Sequence, residues 1–353
     1  MFLIHRSILK DLIISFSVTI IFLNFGLMME KLLRLSRLLV GAGSSITDFL
    51  KIVFFIQPQI LIYTIPMSML LSILLVYGRM SIDNELVILR GAGMSFWNIS
   101  RPVLYFGIAC FSIGVIMSFY LGPRSSSMLW EKISEILTIK APMSIEEGVF
   151  NTSFKDIVIL VKEKPSTNQL SGIFILDERQ KDEPKVIVSK EGRIIPEDNS
   201  ISFLLKQGQI LVSKDDSYTE ISFGKYYFRL NPFIEHKGKG RKELTPLELL
   251  KASAESSENK NKYLVEFHRR ISMPALCLIL IFLGPSLSLF YGKSGRLGGL
   301  TIGLMVFVIY YIVLIYGENL SIAGKIHHLI GSWIAFIMLG ATSIYIFINA
   351  NKR

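Results

Sequence analysis

Arg79–Ser95 reads RMSIDNELVILRGAGMS, a short charged run set between two long apolar ones. Ser81 is a candidate N-cap, and Asp83 and Glu85 fall in the first turn, where the partial positive charge of a helix end favours carboxylates. Ile82, Leu86 and Leu89 recur at i, i+4 and i+7 and so share one face. Arg90 falls in the last turn, and Gly91 supplies a left-handed residue to end it. The run predicts a short helix within about 79–95, held at a membrane surface between two spans. It is either a tight loop or a handle that another protein grips. Arg90 either contacts that protein or only offsets the negative end of the helix.

Working outward, the 353-residue chain is 51% hydrophobic and 19% charged, with a mean hydropathy of +0.47. Six stretches without Asp, Glu, Lys or Arg reach or approach the ~20 residues that cross a hydrocarbon core. They are Leu12–Met29, Ile52–Gly78, Pro102–Pro123, Ile271–Gly292, Leu297–Gly317 and Leu329–Asn351, with Lys293–Arg296 as a tight turn between the fourth and fifth and Glu318–His328 as a short loop before the sixth. A charged amphipathic run follows the first stretch where a signal peptide would carry a small-residue cleavage site, so it reads as a retained span. Six spans place both termini on one side. Short-loop Lys and Arg are denser there (Arg6, Lys10, Arg79, Arg90, Arg101, Lys293, Arg296, Lys352, Arg353) than opposite (Lys31, Arg34, Arg37, Lys51, Lys325, with Arg269 and Arg270 at the mouth of span four). That asymmetry puts the termini in the cytoplasm and the large polar region outside. The layout is residues 1–121 with three spans, 122–263 as a polar domain, and 264–353 with three more spans.

Acidic and basic residues nearly cancel in 122–263, so most of the formal +10 charge lies at membrane edges. No basic domain for nucleic acid is present. Within the polar region the period changes to short Ile-, Val- and Phe-rich runs: Asp156–Lys164, Leu170–Leu176, Lys185–Ser189, Ser200–Leu205, Gly208–Ser213 and Tyr218–Phe223, continued by Tyr226–Phe228. Turn-forming residues separate them, which predicts an all-β sandwich, jelly roll or barrel. An open edge on such a sheet can accept a further strand. Thr245-Pro246-Leu247-Glu248 is a capping-box pattern with proline in the first turn.

Beyond Met29 the first helix continues as EKLLRLSRL, with Lys31, Arg34 and Arg37 spaced by three on one broad side. These cations either snorkel to lipid headgroups or form a site for an anionic amphiphile entering from the outer leaflet. Cys110 and Cys277 lie inside spans three and four and read as small packing residues, with no disulfide framework. No nucleotide-binding phosphate loop, G-x-S-x-G elbow or H-E-x-x-H motif occurs. His327 and His328 are adjacent, a poor arrangement for a metal. No Asp, Glu, Lys or Arg lies at the centre of a span, where an ion-coupled transporter places one. An enzyme is disfavoured, no cofactor or metal is implied, and any transport must draw energy from a partner.

Ser81 through Gly93 followed by Arg101-Pro102 resembles the coupling segment of the lipopolysaccharide-export permeases, the F and G subunits of the Lpt transporter. Glu266-Phe267-His268-Arg269-Arg270 with Pro274, then Gly284-Pro285-Ser286-Leu287-Ser288 and Gly295-Arg296, resembles that family's fourth span and the turn after it. The resemblance implies an α+β membrane protein, with six transmembrane helices and a periplasmic β-jelly-roll domain inserted after the third. It implies a permease without its own nucleotide site, paired with a second permease subunit on a cytoplasmic ATPase dimer. Such a pair extracts lipopolysaccharide from the inner membrane and passes it to periplasmic jelly-roll bridge proteins. By the same resemblance Glu85 matches the acidic contact to the ATPase, with Asp83 and Arg90 beside it. Lys31 and Arg34 match the basic residues that meet lipid A phosphates; Arg37 has no firm counterpart. Spans one and five form the lateral gate, and the chain looks closer to the F-type subunit. A permease for another lipid or lipoprotein, and a non-transporting membrane scaffold, are the alternatives.

Overall fold

The computed structural model describes residues 2–40, 45–136, 147–154, 156–166, 168–180, 183–197, 200–214, 217–230, 239–256, 258–291 and 295–352. Its helices are α1 (Phe2–Val40), α2 (Ile46–Ile82), α3 (Glu85–Gly91), α4 (Phe96–Ile116), α5 (Gly122–Glu135), α6 (Pro246–Glu255), α7 (Lys260–Tyr291), α8 (Gly295–Ile322) and α9 (His328–Lys352). Between α5 and α6 come β1 (Phe150–Phe154), β2 (Ile157–Ser166), β3 (Gln169–Asp177), β4 (Lys185–Glu197), β5 (Ser200–Lys214) and β6 (Ser217–Leu230). Six helical stretches are long and apolar enough to cross a membrane, as the sequence predicts. The expected α+β membrane protein is what forms.

The chain divides into two compact units. One contains residues 1–29, 56–126 and 239–353, the other 30–55 and 127–238. In the first, α2 and α7 are central. Some 72% and 83% of their apolar windows are buried, against 6% for α1 and 17% for α8. The core gathers Met69, Leu70, Ile73 and Tyr77 of α2, Ile99 and Val103 of α4, and Met273, Cys277 and Leu280 of α7. Both cysteines are buried there, Cys110 on α4 and Cys277 on α7.

Inside hydrocarbon every backbone carbonyl needs a donor. Pro274 has no N–H, which orphans the carbonyl of Arg270 four residues earlier. Ser118 Oγ donates to that oxygen at 2.9 Å. Four residues before Ser118, Gly114 lets α4 close on the Pro274 ring, which a Cβ there would meet at 3.3 Å. Room and hydrogen bond thus come from one face of α4. Gly317 and Gly331 do the same for α8 and α9, since a Cβ on either would overlap the other's carbonyl oxygen.

Three helix ends differ from expectation. Pro102 lies within α4, because Ser95 caps the helix by accepting from the Asn98 N–H at 3.2 Å. The third span does not stop at Gly122-Pro123. It passes through a π-helical turn, Met117–Leu121, in which the Gly122 N–H reaches back to the Met117 carbonyl, and continues as α5. The fifth span runs on to Ile322, so Glu318 sits in helix where a loop was expected.

In the second unit the six strands form one antiparallel sheet in chain order. β2 and β3 alternate buried and less buried residues. Ile159, Val161, Ile173, Ile175, Ile187, Phe203, Leu205 and Phe228 are all nearly inaccessible. The sheet curls to bury that face. Arg179, just past β3, donates to the Arg229 carbonyl on β6 at 3.3 Å and lies over the Phe228 ring. In a flat sheet β3 and β6 would stand ~14 Å apart, beyond an arginine's reach. Arg179 also forks onto Asp177, with Nη2 to Oδ2 at 2.6 Å. Burial pushes the Asp177 carboxyl up, but the Arg179 bonds outweigh this and hold it below the usual carboxylate range. The described strands make a single curled meander; no crossover between two sheets occurs among them.

Two pairs of expected strands are each one strand. β5 absorbs the Lys206-Gln207 break: Gly208 just after it lets the ladder pass, since a Cβ there would collide with the Val188 carbonyl and the Phe223 ring. β6 likewise runs through Gly224. β1, of sequence FNTSF, lacked an alternating pattern and was missed. Elsewhere in this unit Lys132 of α5 pairs with Asp48 at the start of α2, 3.1 Å apart.

The α8–α9 contact yields a contrast. Gly331→Val forces the helices apart and is expected to cost about 1–3 kcal/mol, the usual range for overpacking. Gly26→Ala on α1 has open space around it, and is expected to be neutral or stabilising by up to about 1 kcal/mol. Denaturant unfolding in detergent measures both.

Candidate functional site

The sequence around Asp83 folds as a sharp turn followed by a helix shorter than expected. α2 runs through Ser81 to Ile82, so Ser81 is not the N-cap. Asp83 and Asn84 make the turn, with the Asp83 N–H donating to the Arg79 carbonyl at 2.9 Å. Asn84 caps α3 in the left-handed region, φ 58°, without a side-chain cap bond. Asparagine tolerates that conformation better than most residues. Asp83 therefore precedes the first turn, and Glu85 opens it. At the far end the left-handed residue is Gly93, φ +88°, not Gly91. The Met94 N–H donates to the Leu89 carbonyl at 3.1 Å and the Gly93 N–H to the Arg90 carbonyl at 3.0 Å. Both bonds of a Schellman motif are present.

Burial divides α3 into two faces. Leu86 is 2% exposed and Met94 7%, and Leu89 is partly buried against the same core. Val87 and Ile88 are 66% and 67% exposed, and Glu85 and Asp83 are exposed beside them. Ile82, expected on the Leu86 face, is turned outward at 42%. The outer face offers two apolar side chains edged by carboxylates. That arrangement can seat in an apolar cleft with basic margins. Behind it, Tyr77 Oη donates to the Ile99 carbonyl at 2.8 Å, tying α2 to α4, and Arg79 pairs with Asp11 at 2.7 Å. Arg90 is half-buried in the last turn of α3, beside the carbonyl end.

Lys31, Arg34 and Arg37 all lie on α1, which is helical without a break from Phe2 to Val40. Lys31 is half-buried. The side chains of Arg34 and Arg37 fall outside the described residues, as do Lys293 and Ser294 of the turn expected after the fourth span, whose Gly295 and Arg296 instead open α8. Earlier on α1, Ile20, Ile21, Asn24, Phe25 and Met28 line an open groove with Leu61 of α2. Asn24 is the one amide among these apolar walls.

Other groups were not foreseen. Glu266, Arg269 and Arg270 of α7 meet Glu318 of α8 in a buried ionic cluster. Glu318 was read as loop because charge marks a span's end in sequence, whereas here the helix outlasts its apolar stretch. His268 of α7 stacks on His328 at 5.3 Å, and His327 lies 4.0 Å from His328. Only folding brings a third imidazole to that adjacent pair. The capping box is as read: Glu248 Oε2 accepts from the Thr245 N–H at 2.7 Å. That backbone bond, with Lys239 at 3.1 Å, pulls the Glu248 carboxyl down to about 2.

The two faces of α3 predict different mutational outcomes. Leu86→Ala is expected to destabilise by about 2–5 kcal/mol, as for a buried leucine. Ile88→Ala, on the exposed face, is expected to leave stability within about 0.5 kcal/mol of wild type. Parallel denaturant titrations in detergent test the pair.

Comparison with known proteins extends what the geometry outlines. The uncharacterized protein RP871 of Rickettsia prowazekii (strain Madrid E) is 25% identical over 293 residues, covering 81% of this chain and 80% of that one. Residues 6–349 match the family model described as "Lipopolysaccharide export system permease LptF/LptG". Six membrane-crossing helices with an inserted antiparallel sheet, matched nearly end to end, make this chain a multi-pass membrane protein that belongs to the LptF/LptG permease family.

Proposed function

We propose that this chain is a permease subunit, F-type rather than G-type, of an ATP-driven transporter that extracts lipopolysaccharide from the inner membrane and hands it to a periplasmic bridge. The observation that carries the reading is the family match across residues 6–349. Both termini and α3 face the cytoplasm in this reading, following the excess of short-loop Lys and Arg on that side. The sheet faces the periplasm, where its curled face and edge strand β6 suit transfer to a jelly-roll partner.

The work is divided. A separate ATPase dimer supplies energy, and α3 is the handle it grips. Glu85 is its principal contact, with Asp83 flanking, Val87 and Ile88 filling an apolar cleft, and Arg90 steadying the carbonyl end. A rigid mount under the handle, through Leu86, the Schellman motif and the Tyr77–Ile99 bond, suits transmission of a push into α2 and α4. α1 and α8, whose apolar stretches are the least buried of the six, form the lateral gate with a second permease subunit. Lys31, Arg34 and Arg37 receive the lipid's phosphates, which attract closely spaced cations. The groove along Ile20, Asn24 and Met28 receives acyl chain.

Two experiments test this. Glu85→Ala is expected to reduce co-purification of the ATPase and lipid transport together, while the protein still folds; wild-type levels of both would remove the handle assignment. Reversing Lys31 and Arg34 to glutamate is expected to reduce photo-crosslinking from α1 to lipopolysaccharide several-fold. Unchanged crosslinking would leave these residues as headgroup anchors. Mass spectrometry of lipid bound to the wild-type complex tests the substrate itself.

A further inference from the structure

Glu266, Arg269 and Arg270 lie within five residues of α7, yet the two arginines point to different parts of the fold. Arg269 pairs with Glu266 through Oε2 and reaches Glu318 Oε2 of α8 at 3.3 Å. Arg270 approaches the other oxygen of Glu266, Oε1, at 3.4 Å. Its remaining donors hold the strap that leads into α6: Nη1 to the Leu244 carbonyl at 2.5 Å, and Nη2 to those of Arg241 and Lys242 at 3.1 and 3.2 Å. Glu266, Arg270 and Glu318 side chains are each no more than 10% exposed. Tyr63 of α2 lies within electrostatic reach of Arg269, Glu266 and Glu318.

Two carboxylates balance two guanidinium groups, but they are unevenly divided: Arg269 alone pairs with Glu318, and both arginines pair with Glu266. Buried charges left without partners are strongly disfavoured, so the four groups must redistribute together. Glu318 already has one oxygen, Oε1, buried without a hydrogen-bond partner. If Glu318 leaves with α8, Arg269 retains only Glu266 and draws both its oxygens. Arg270 then keeps the strap carbonyls but loses its counter-charge.

We propose that Glu266 is the pivot of a relay between the end of α8 and the strap 239–245, so that moving either one loosens the other. No hydrogen bond joins the two ends among the described residues; Glu318 only attracts Arg241 of the strap through space, and the shared carboxylate carries the bonded coupling. In a transporter this gives the fifth span a route to the segment through which the chain returns from the sheet. The strap itself is well placed to report, because it feeds directly into the capping box of α6.

Hydrogen exchange of the full chain in lipid nanodiscs tests the relay without lipid substrate or ATPase, so it stands or falls apart from the transport reading. Glu318→Gln, which removes a charge that makes no hydrogen bond to the strap and only attracts Arg241 through space, is expected to speed exchange of the 239–245 amides several-fold while the sheet amides stay at wild-type rates. Arg241→Gln, which removes that attraction alone, is expected to leave strap exchange unchanged. Arg269→Lys, which keeps the charge but loses the fork that spans two carboxylates, is expected to do the same and serves if the first variant folds poorly. Arg270→Gln sets the scale for a strap released directly. Wild-type strap exchange in both Glu318→Gln and Arg269→Lys, alongside fast exchange in Arg270→Gln, would overturn the relay and leave Arg270 as a local clamp.

Discussion

A carbonyl without a donor cannot stay inside a membrane, and the centre of this protein is arranged around one. Pro274 creates it at Arg270, and Ser118 satisfies it from the π-helical turn that continues α4. That bond, with Gly114 closing on the proline, fixes α4 against α7, the most deeply buried of the six spans. Arg270 is consequently held twice: its main chain belongs to the α4–α7 contact, and its side chain grips the strap. A single residue joins the packing of the bundle to the chain entering α6. The π-helical turn that brings Ser118 into position also lets the third span continue past Pro123 instead of ending there.

The parts of this architecture governed by local chemistry were legible from sequence. Apolar runs of sufficient length gave the six spans, the Thr245–Glu248 box gave the start of α6, and alternation gave most of the sheet. What was not legible depended on neighbours distant in sequence. Ser81 has the chemistry of a cap, yet α2 outcompetes it by extending one more turn, and Asn84 takes over at positive φ. Glu318 reads as a loop residue until the ion cluster shows why a charge can stay in the helix. Lys206-Gln207 reads as a break until the ladder is seen to run through it, with Gly208 placed where the Val188 carbonyl leaves no room for a Cβ. Of the candidate site, the identity of Glu85 and Asp83 was visible. The exposed Val87–Ile88 face became visible only once Leu86 was seen to turn inward.

The two proposed working regions are built on opposite principles. α3 is short, but its mount is stiff, so displacement of its outer face moves the helices behind it. The ionic cluster on α7 is the reverse, a set of interactions in which both arginines draw on the one carboxylate of Glu266, so that satisfaction of one competes with that of the other. Stiffness suits a point where force enters; shared bonding suits a point where arrangements exchange. Both occur in the same unit, and α7 lies in the core shared with the first.

The order of the strands has a consequence for biogenesis. Each of the six pairs only with its neighbours in the chain, so every hydrogen-bonded ladder closes over a short loop. Topologies dominated by such near contacts assemble quickly and impose little delay from loop closure. The sheet needs nothing from α7, α8 or α9 to complete its ladders. It can therefore take shape during translation, while the last three spans are still being synthesised. The bundle has no such independence: α7 packs both against α4, made some 150 residues earlier, and against α9, made after it. A chain that finishes its sheet first presents the late spans with partners already waiting in the membrane.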